Sequence, residues 1–129
     1  MARVAPKGAR HRDAIFSEAL LSALPDGVVT YAADGQCQSA NRAAAELLGV
    51  PLERLLSQNF RGIRSWKDSG LLGRAEETME TGVSQQWETL FTSTAGKSLW
   101  LHFRLERVDL AGGPALLVIF ADISERKAL

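Results

Sequence analysis

Few residues of this chain have the type and spacing that chemistry requires, and those few fit structural roles better than catalysis. The stretch STAGKS at 93–98 ends like a phosphate-binding loop, but that motif needs a glycine where Phe91 stands and a helix after the lysine. An alternating strand pattern follows instead, so we predict a hairpin turn. Glu76, Glu77 and Glu80 fall on the polar face of a predicted helix, which indicates a solvated surface. We therefore expect no catalytic residues and no enzymatic activity.

Cys37 is the single cysteine of the chain, which excludes an internal disulfide and any metal motif built on paired cysteines. A lone thiol fits a reducing compartment. The longest apolar run, at 114–121, is far shorter than the roughly 20 residues that cross a bilayer. We predict no metal site, no membrane contact from this segment and a cytoplasmic location.

The composition indicates one globular domain that does not bind nucleic acid directly. With 129 residues, of which 46% are hydrophobic, the chain can form one core and is too short for two. Its 15 Lys and Arg residues balance 15 Asp and Glu residues, so it lacks the positive charge that would neutralise phosphates. Basic side chains do gather near the start, at Arg3, Lys7, Arg10 and Arg12. We predict a flexible basic tail over 1–12.

The first half of the chain predicts a helix, a hairpin and two further short helices. Apolar residues at helical spacing over 13–24 predict an amphipathic helix that ends before a proline. The dipeptide Asp34-Gly35 predicts a hairpin between strands near 27–32 and 36–40. In the stretch that follows, NRAAAELLGVPLERLLSQNF, a glycine and a proline separate two short runs of helical periodicity.

The second half of the chain predicts one longer helix and three strands. An apolar stripe with charged residues opposite predicts a helix over 68–81. Apolar and polar residues alternate weakly at 85–91 and strongly at 97–108, which predicts two strands. The run at 114–121 is apolar at both parities, so we expect a last strand that is covered on both faces.

This order of elements, with the residues that mark its turns, resembles a PAS domain, the sensory module of many signalling proteins. The resemblance covers about residues 14–127. It rests on LPDGVV before the first strand, on Asp34 and Gly35 in ADG, on Asn41 opening NRAAAELLG, and on Asp122 in the closing FADISERKAL. The closing motif has a serine where the family commonly has a threonine. Each piece alone is weak, but their order and spacing together are specific.

The resemblance implies an α+β fold in which a five-stranded antiparallel sheet of order 2-1-5-4-3 carries short helices on one face. The core of this fold would span 25–122. The helix over 13–24, or a partner subunit, would cover the other face. Residues 123–129 would begin a connector helix to an effector domain, because the closing motif of this family leads from the last strand into such a helix.

Many PAS domains enclose a small molecule between helices and sheet, so the resemblance implies a candidate pocket. The residues that would line it are Phe60, Ile63, Trp66, Leu72, Met79, Leu101, Phe103 and Val118. Such a pocket would suit an apolar or amphipathic ligand, for example a fatty acid. The same residues are equally consistent with a filled core. Both interpretations stay open.

Cofactor sites known in PAS domains match this chain only in part. Haem-binding members usually supply an axial histidine from the long helix, but 68–81 contains none, and His102 is predicted to face away from the pocket. Members with photochemical flavin binding of the LOV type carry a cysteine in the stretch comparable to SQNFRGIRSW, which has none. We expect neither cofactor. A non-covalent flavin with Trp66 near its ring stays open as an alternative.

We therefore predict a non-catalytic sensory or regulatory module that forms homodimers and signals through its C-terminal connector. Phe16, Leu20 and Leu24 of the N-terminal helix, with Trp100 on the otherwise polar side of its strand, would form the dimer face. The alternative is a pure interaction domain with a solid core and no ligand. The sequence names neither the ligand nor the effector, which in this family can be a histidine kinase of a two-component system, a diguanylate cyclase or a regulator of transcription.

Overall fold

A computed structural model of the chain describes residues 24–128. The strands are β1 (Gly27–Ala32), β2 (Cys37–Ala40), β3 (Gln85–Thr92), β4 (Ser98–Leu110) and β5 (Gly113–Asp122). The helices are α1 (Arg42–Leu48), α2 (Leu52–Leu56), α3 (Arg64–Ser69), α4 (Leu71–Thr81) and α5 (Ser124–Ala128), with a 3-10 turn at Phe60–Gly62 between α2 and α3. Within the described part of the chain, no helix has the length and apolar character needed to cross a membrane.

The strands form one five-stranded antiparallel sheet of order β2-β1-β5-β4-β3, which confirms the predicted topology. β5 lies in the centre and pairs with β1 on one edge and with β4 on the other. Leu116, Val118 and Phe120 of β5 are buried under the helices, while Leu117 and Ile119 are half-buried on the opposite face. The apolar character of β5 at both parities follows from this central position.

The predicted Asp34-Gly35 turn joins β1 to β2. The N–H of Gly35 donates to the carbonyl of Ala32 at 2.8 Å, and Asp34 Oδ1 accepts from the N–H of Gln36 at 3.0 Å. Gly35 has a φ of 94°, and a Cβ on it would collide with the side chain of Asn59. Glycine is required there both by the turn and by the close approach of the chain before the 3-10 turn.

Asn41 connects the start of the sheet to the first helix. Its Oδ1 accepts from the N–H of Val28 at 2.9 Å and from the N–H of Ala44 at 3.0 Å, and its Nδ2 donates to the carbonyl of Asp26 at 2.9 Å. The second of these bonds caps α1. One buried side chain therefore holds the chain before β1, the first residues of β1 and the first turn of α1 together.

The helix predicted over 68–81 is wrong at its start, because Gly70 divides that stretch. Gly70 has a φ of 83°, in the left-handed region that ends a helix. α4 therefore begins at Leu71, and the residues before Gly70 belong to α3, which the periodicity did not predict as a separate element.

Helices α1 to α4 and the 3-10 turn pack on one face of the sheet, as predicted. Each contributes buried side chains to one core, for example Ala44 from α1, Leu55 from α2, Phe60 from the turn, Trp66 from α3 and Leu71 from α4. The sheet meets them with inward side chains of its strands, which are Val29, Tyr31, Phe91, Leu101, Phe103, Leu105, Leu116, Val118 and Phe120.

β5 leads directly into α5, as the closing motif predicted. Asp122 Oδ1 accepts from the N–H of Ser124 at 2.9 Å, so it satisfies a donor that the first turn of α5 leaves free. Hydrogen bonds from Ser124 lower the pKa of Asp122. The basic tail over 1–12 and all but the last residue of the helix over 13–24 lie outside the described residues. Leu24 itself is described, and it is not helical.

Asn41→Ala is expected to lower the free energy of unfolding by about 2–3 kcal/mol, because it removes a helix cap and leaves buried N–H groups unpaired. Urea denaturation followed by circular dichroism measures this change. Asn59→Ala is the matched control: Asn59 Oδ1 also accepts a backbone N–H, that of Arg61 at 3.0 Å, but in a more exposed position. The control should lose only about 1 kcal/mol. Equal losses in the two variants would contradict the connecting role of Asn41.

Candidate functional site

Three aromatic rings meet in the interior between the helices and the sheet. Phe60 and Trp66 stack with ring centroids 5.0 Å apart and an interplanar angle of 15°. Tyr31 meets both rings edge-on, at 5.4 Å from Phe60 and 5.2 Å from Trp66. These geometries are favourable for aromatic pairs. The cluster fixes the 3-10 turn and α3 against β1.

A second group of rings lies on the inner face of β3, β4 and β5. The ring centroid of Phe103 is 5.2 Å from that of Trp87, 5.2 Å from that of Phe91 and 5.9 Å from that of Phe120. The guanidinium of Arg74 on α4 lies 4.1 Å from the centroid of Trp87. This cation–π contact covers the outer end of the group.

Two small cavities remain between the aromatic groups. The first has a volume of about 30 Å³ and is lined by Tyr31, Leu48, Val50, Leu55, Gln58, Ile63, Ser65, Trp66, Phe91, Ser93 and Thr94. The second has a volume of about 20 Å³ and is lined by Val29, Tyr31, Leu48, Trp66, Leu71, Phe91, Phe103, Val118 and Phe120. Four residues border both cavities, so the two spaces adjoin. Each has room for about one water molecule, whereas pockets for larger ligands measure roughly 300–1,000 Å³.

Most residues predicted to line a pocket do surround this interior. Ile63, Trp66, Phe103 and Val118 border at least one of the cavities. Phe60 and Leu101 are buried in the core around them.

Leu72 and Met79 lie at the margin of the core. Both are half-buried on α4 and pack against the core from its edge. Met79 borders an open groove that Arg61, Glu76 and Arg107 also line. It therefore lies away from the two cavities.

Tyr31, Leu48 and Phe91 border both cavities, yet the sequence did not single them out. The alternation along β3 could have indicated Phe91, because Phe91 and Trp87 are four residues apart and therefore lie on the same face of the strand, toward the helices. Their convergence on one point depends on the sheet register and on where α1 ends, which no local pattern fixes.

The turn between β3 and β4 closes one side of the first cavity. Lys97 Nζ donates to the carbonyl of Glu46, in the last turn of α1, at 2.8 Å. The hydroxyl of Thr94 donates to Ser65 Oγ at 3.1 Å and accepts from the N–H of Ser65 at 3.2 Å. The STAGKS stretch is thus the predicted hairpin turn, and its lysine caps a helix C-terminus. These bonds attach the turn to α1 and α3.

The reactive side chains that the sequence singled out lie outside the cavities. Cys37 is buried on β2, and burial raises the pKa of its thiol to about 11. At neutral pH it is therefore a poor nucleophile. His102 lies on the outer face of β4, where Nε2 is 3.2 Å from Oε1 of Gln86. Tyr31, in contrast, borders both cavities, and burial raises the pKa of its hydroxyl above the ordinary value.

The outer face of the sheet exposes several large apolar side chains. Leu90 of β3 is 54% exposed and Trp100 of β4 is 38% exposed, and the two lie opposite each other in the β3–β4 register. Leu24, just before β1, is also 38% exposed. Phe16 and Leu20, the other residues predicted for this face, lie outside the described residues.

The model of one protein family, described as the PAS fold, matches residues 21–128, which is most of the chain. The chain belongs to the PAS family. PAS domains are sensory modules of signalling proteins, so this chain is a sensory signalling module. No curated protein matches it.

Solved PAS domains from several signalling proteins have the same fold as this one. The PAS domain of an HTR-like protein from Haloarcula marismortui aligns with a TM-score of 0.71 at 20% identity, over 91% of this chain and 97% of that chain. A domain of a sensory box sensor histidine kinase/response regulator from Geobacter sulfurreducens has a TM-score of 0.69 at 19% identity, over 88% and 96% of the two chains. The PAS domain of nitrogen regulation protein NR(II) from Vibrio parahaemolyticus has a TM-score of 0.64 at 20% identity, over 83% and 97%.

Phe91→Ala should join the two cavities and lower the free energy of unfolding by about 3–5 kcal/mol. The space left by the ring adjoins the second cavity, whose lining is almost wholly apolar, so benzene should raise the melting temperature of the variant and leave that of the parent protein unchanged. Thermal denaturation with and without benzene measures both effects.

Val83→Ala is the control for the Phe91 variant, because the apolar side chain of Val83 is 64% exposed just before β3. Its stability should change by less than about 0.5 kcal/mol. A Phe91→Ala variant without a benzene response would show that the core collapses around the missing ring.

Proposed function

We propose that this PAS domain is a non-catalytic regulatory module of a larger signalling protein, which forms homodimers and passes a change of conformation to an effector domain through α5. The observation that carries this proposal is the junction between β5 and α5. The N–H of Ile123 donates to the carbonyl of Trp100 at 2.9 Å, and Ser124 Oγ accepts from the N–H of Trp100 at 3.2 Å. The connector is therefore bonded to β4 as well as continuous with β5, so a shift between these strands would reach it.

The apolar outer face supports the dimer. Leu90 and Trp100 form an exposed apolar pair on an otherwise polar part of the sheet, next to Glu88 and His102. We assign this pair, with the segment over 13–24, to the dimer face. Aromatic side chains such as Trp100 contribute strongly where they become buried between subunits.

A ligand inside the domain is the second candidate activity, and the two adjoining cavities are the observation in its favour. An apolar or amphipathic molecule, such as a fatty acid, would have to displace Trp66 or Phe91 to gain enough room, and so would a non-covalent flavin. The alternative, an interaction domain with a solid core, is favoured by the small volumes of the same cavities.

Native mass spectrometry of the freshly purified chain, compared with its denatured mass, distinguishes these possibilities. We expect dimers of the unmodified chain, because the interior is nearly filled. A molecule released at near-stoichiometric amount would instead establish a ligand-binding sensor, and its mass would distinguish a lipid from a flavin. Monomers alone at micromolar concentration would overturn the dimer.

Leu90→Arg should weaken dimerisation by about tenfold or more, since it places a charge in the centre of the proposed apolar face. Sedimentation velocity over a range of concentrations measures the dissociation constant. Leu56→Arg is the matched control, because Leu56 is 38% exposed on α2, on the helical side of the domain. If both variants dimerise like the parent protein, the outer face of β3 and β4 is not the interface.

A further inference from the structure

A carboxylate on β3 binds two cations of the connector helix. Glu88 forms a salt bridge with Arg126, and its Oε1 lies 3.1 Å from Lys127 Nζ. Lys127 Nζ also lies 5.1 Å from the ring centroid of Trp100 on β4. Both cations of the last turn of α5 therefore bind the outer face of the sheet. All three contacts lie beyond the bonds of Asp122, Ile123 and Ser124 that begin the helix.

Among the described residues, the charged partners of the Glu88 side chain are the two cations of α5. Glu88 is on the solvent side of β3, and its partners come from a segment 38 residues further along the chain. Its hydrogen bond with Lys127 and the charges of both connector cations lower the pKa of Glu88, so the carboxylate is ionised at neutral pH.

β3 also touches the interior, through its other face. Phe91, three residues after Glu88, borders both cavities. β3 is an edge strand, and in the described sheet its backbone pairs with β4 alone, so it can shift with the loss of fewer backbone hydrogen bonds than an inner strand. A movement of Phe91 would therefore displace the backbone that carries Glu88.

We infer that Glu88 is the latch by which β3 holds the connector against the sheet, and that a rearrangement of the interior around Phe91 weakens this latch. This inference rests on the proposed role of α5 as the output of the domain. The bonds of Ile123 and Ser124 with Trp100 fix the start of α5 to β4, and the latch fixes the end of α5 to β3. When the latch opens, α5 stays attached at its start and gains freedom at its end, which is where an effector would sense it.

The first test compares the Glu88→Gln variant of the full chain with the parent protein. Glutamine keeps the size of the side chain and removes the charge. We expect the backbone N–H groups of Arg126 and Lys127 to exchange with solvent about two- to five-fold faster, the effect of losing an exposed pair of charges. Amide exchange and ¹⁵N relaxation by NMR measure this residue by residue.

Glu106→Gln is the matched control for the latch. Glu106 is on the same outer face and pairs with Arg104 at 3.1 Å, but the connector does not contact it. This variant should leave exchange in α5 unchanged. Unchanged exchange in Glu88→Gln, or an equal change in both variants, would overturn the latch.

The second test asks whether the interior and the latch are coupled. Phe91→Leu alone should make the backbone N–H of Lys127 exchange faster with solvent. Added to Glu88→Gln, the same substitution should change this exchange little, because the latch is already open in that variant. Phe91→Met replaces it if the leucine variant unfolds. If the effects of the two substitutions on exchange were additive, the coupling between Phe91 and the latch would be contradicted, but the contact of Glu88 with α5 would not.

The result for the latch is separable from the result for the proposed function. Exchange in α5 is measured without an effector or a ligand, and the variants are compared with the parent protein in the same oligomeric state, so a failed latch contradicts only this inference. Absence of dimers in native mass spectrometry of the same samples would contradict the proposed function and leave the latch intact.

Discussion

The pairing of β5 on both of its edges is the constraint on which the rest of the fold depends. The hairpin of β1 and β2 does not pair directly with the hairpin of β3 and β4 in the described sheet, and β5 joins the two. Its inner side chains Leu116, Val118 and Phe120 form the floor on which the helices pack. A sheet with this order therefore becomes continuous only when the last strand is in place. The position of the connector follows directly, because it leaves from that same strand.

Local patterns predicted the elements of this domain well, and long-range contacts much less well. Alternation of apolar and polar residues located β4, the continuous apolar run located β5, and Asp34-Gly35 located the first hairpin, because each signal lies within a few residues. The division at Gly70 was missed because helical periodicity continues across it, and only the backbone angle shows the break. The sheet order came from the family resemblance, since no spacing in the sequence specifies which strand lies in the centre.

The candidate interior shows the same limit. Ile63, Trp66, Phe103 and Val118 were expected there from their apolar character, and they border the cavities. Met79 was expected for the same reason but lies over a groove, because its position on α4 points toward the edge of the sheet. Whether such residues enclose a cavity or fill it depends on differences of a few Å in packing, which residue type does not determine.

The bonds of the β3–β4 turn have a kinetic consequence. Lys97 and Thr94 attach this turn to α1 and α3 over the first cavity, so a molecule that reaches the interior from this side must wait until those bonds break. Its observed binding rate would then level off at high concentration, at the rate at which the turn opens. The response rate of such a domain would be set by the opening of the β3–β4 turn rather than by the rate at which the molecule encounters the protein.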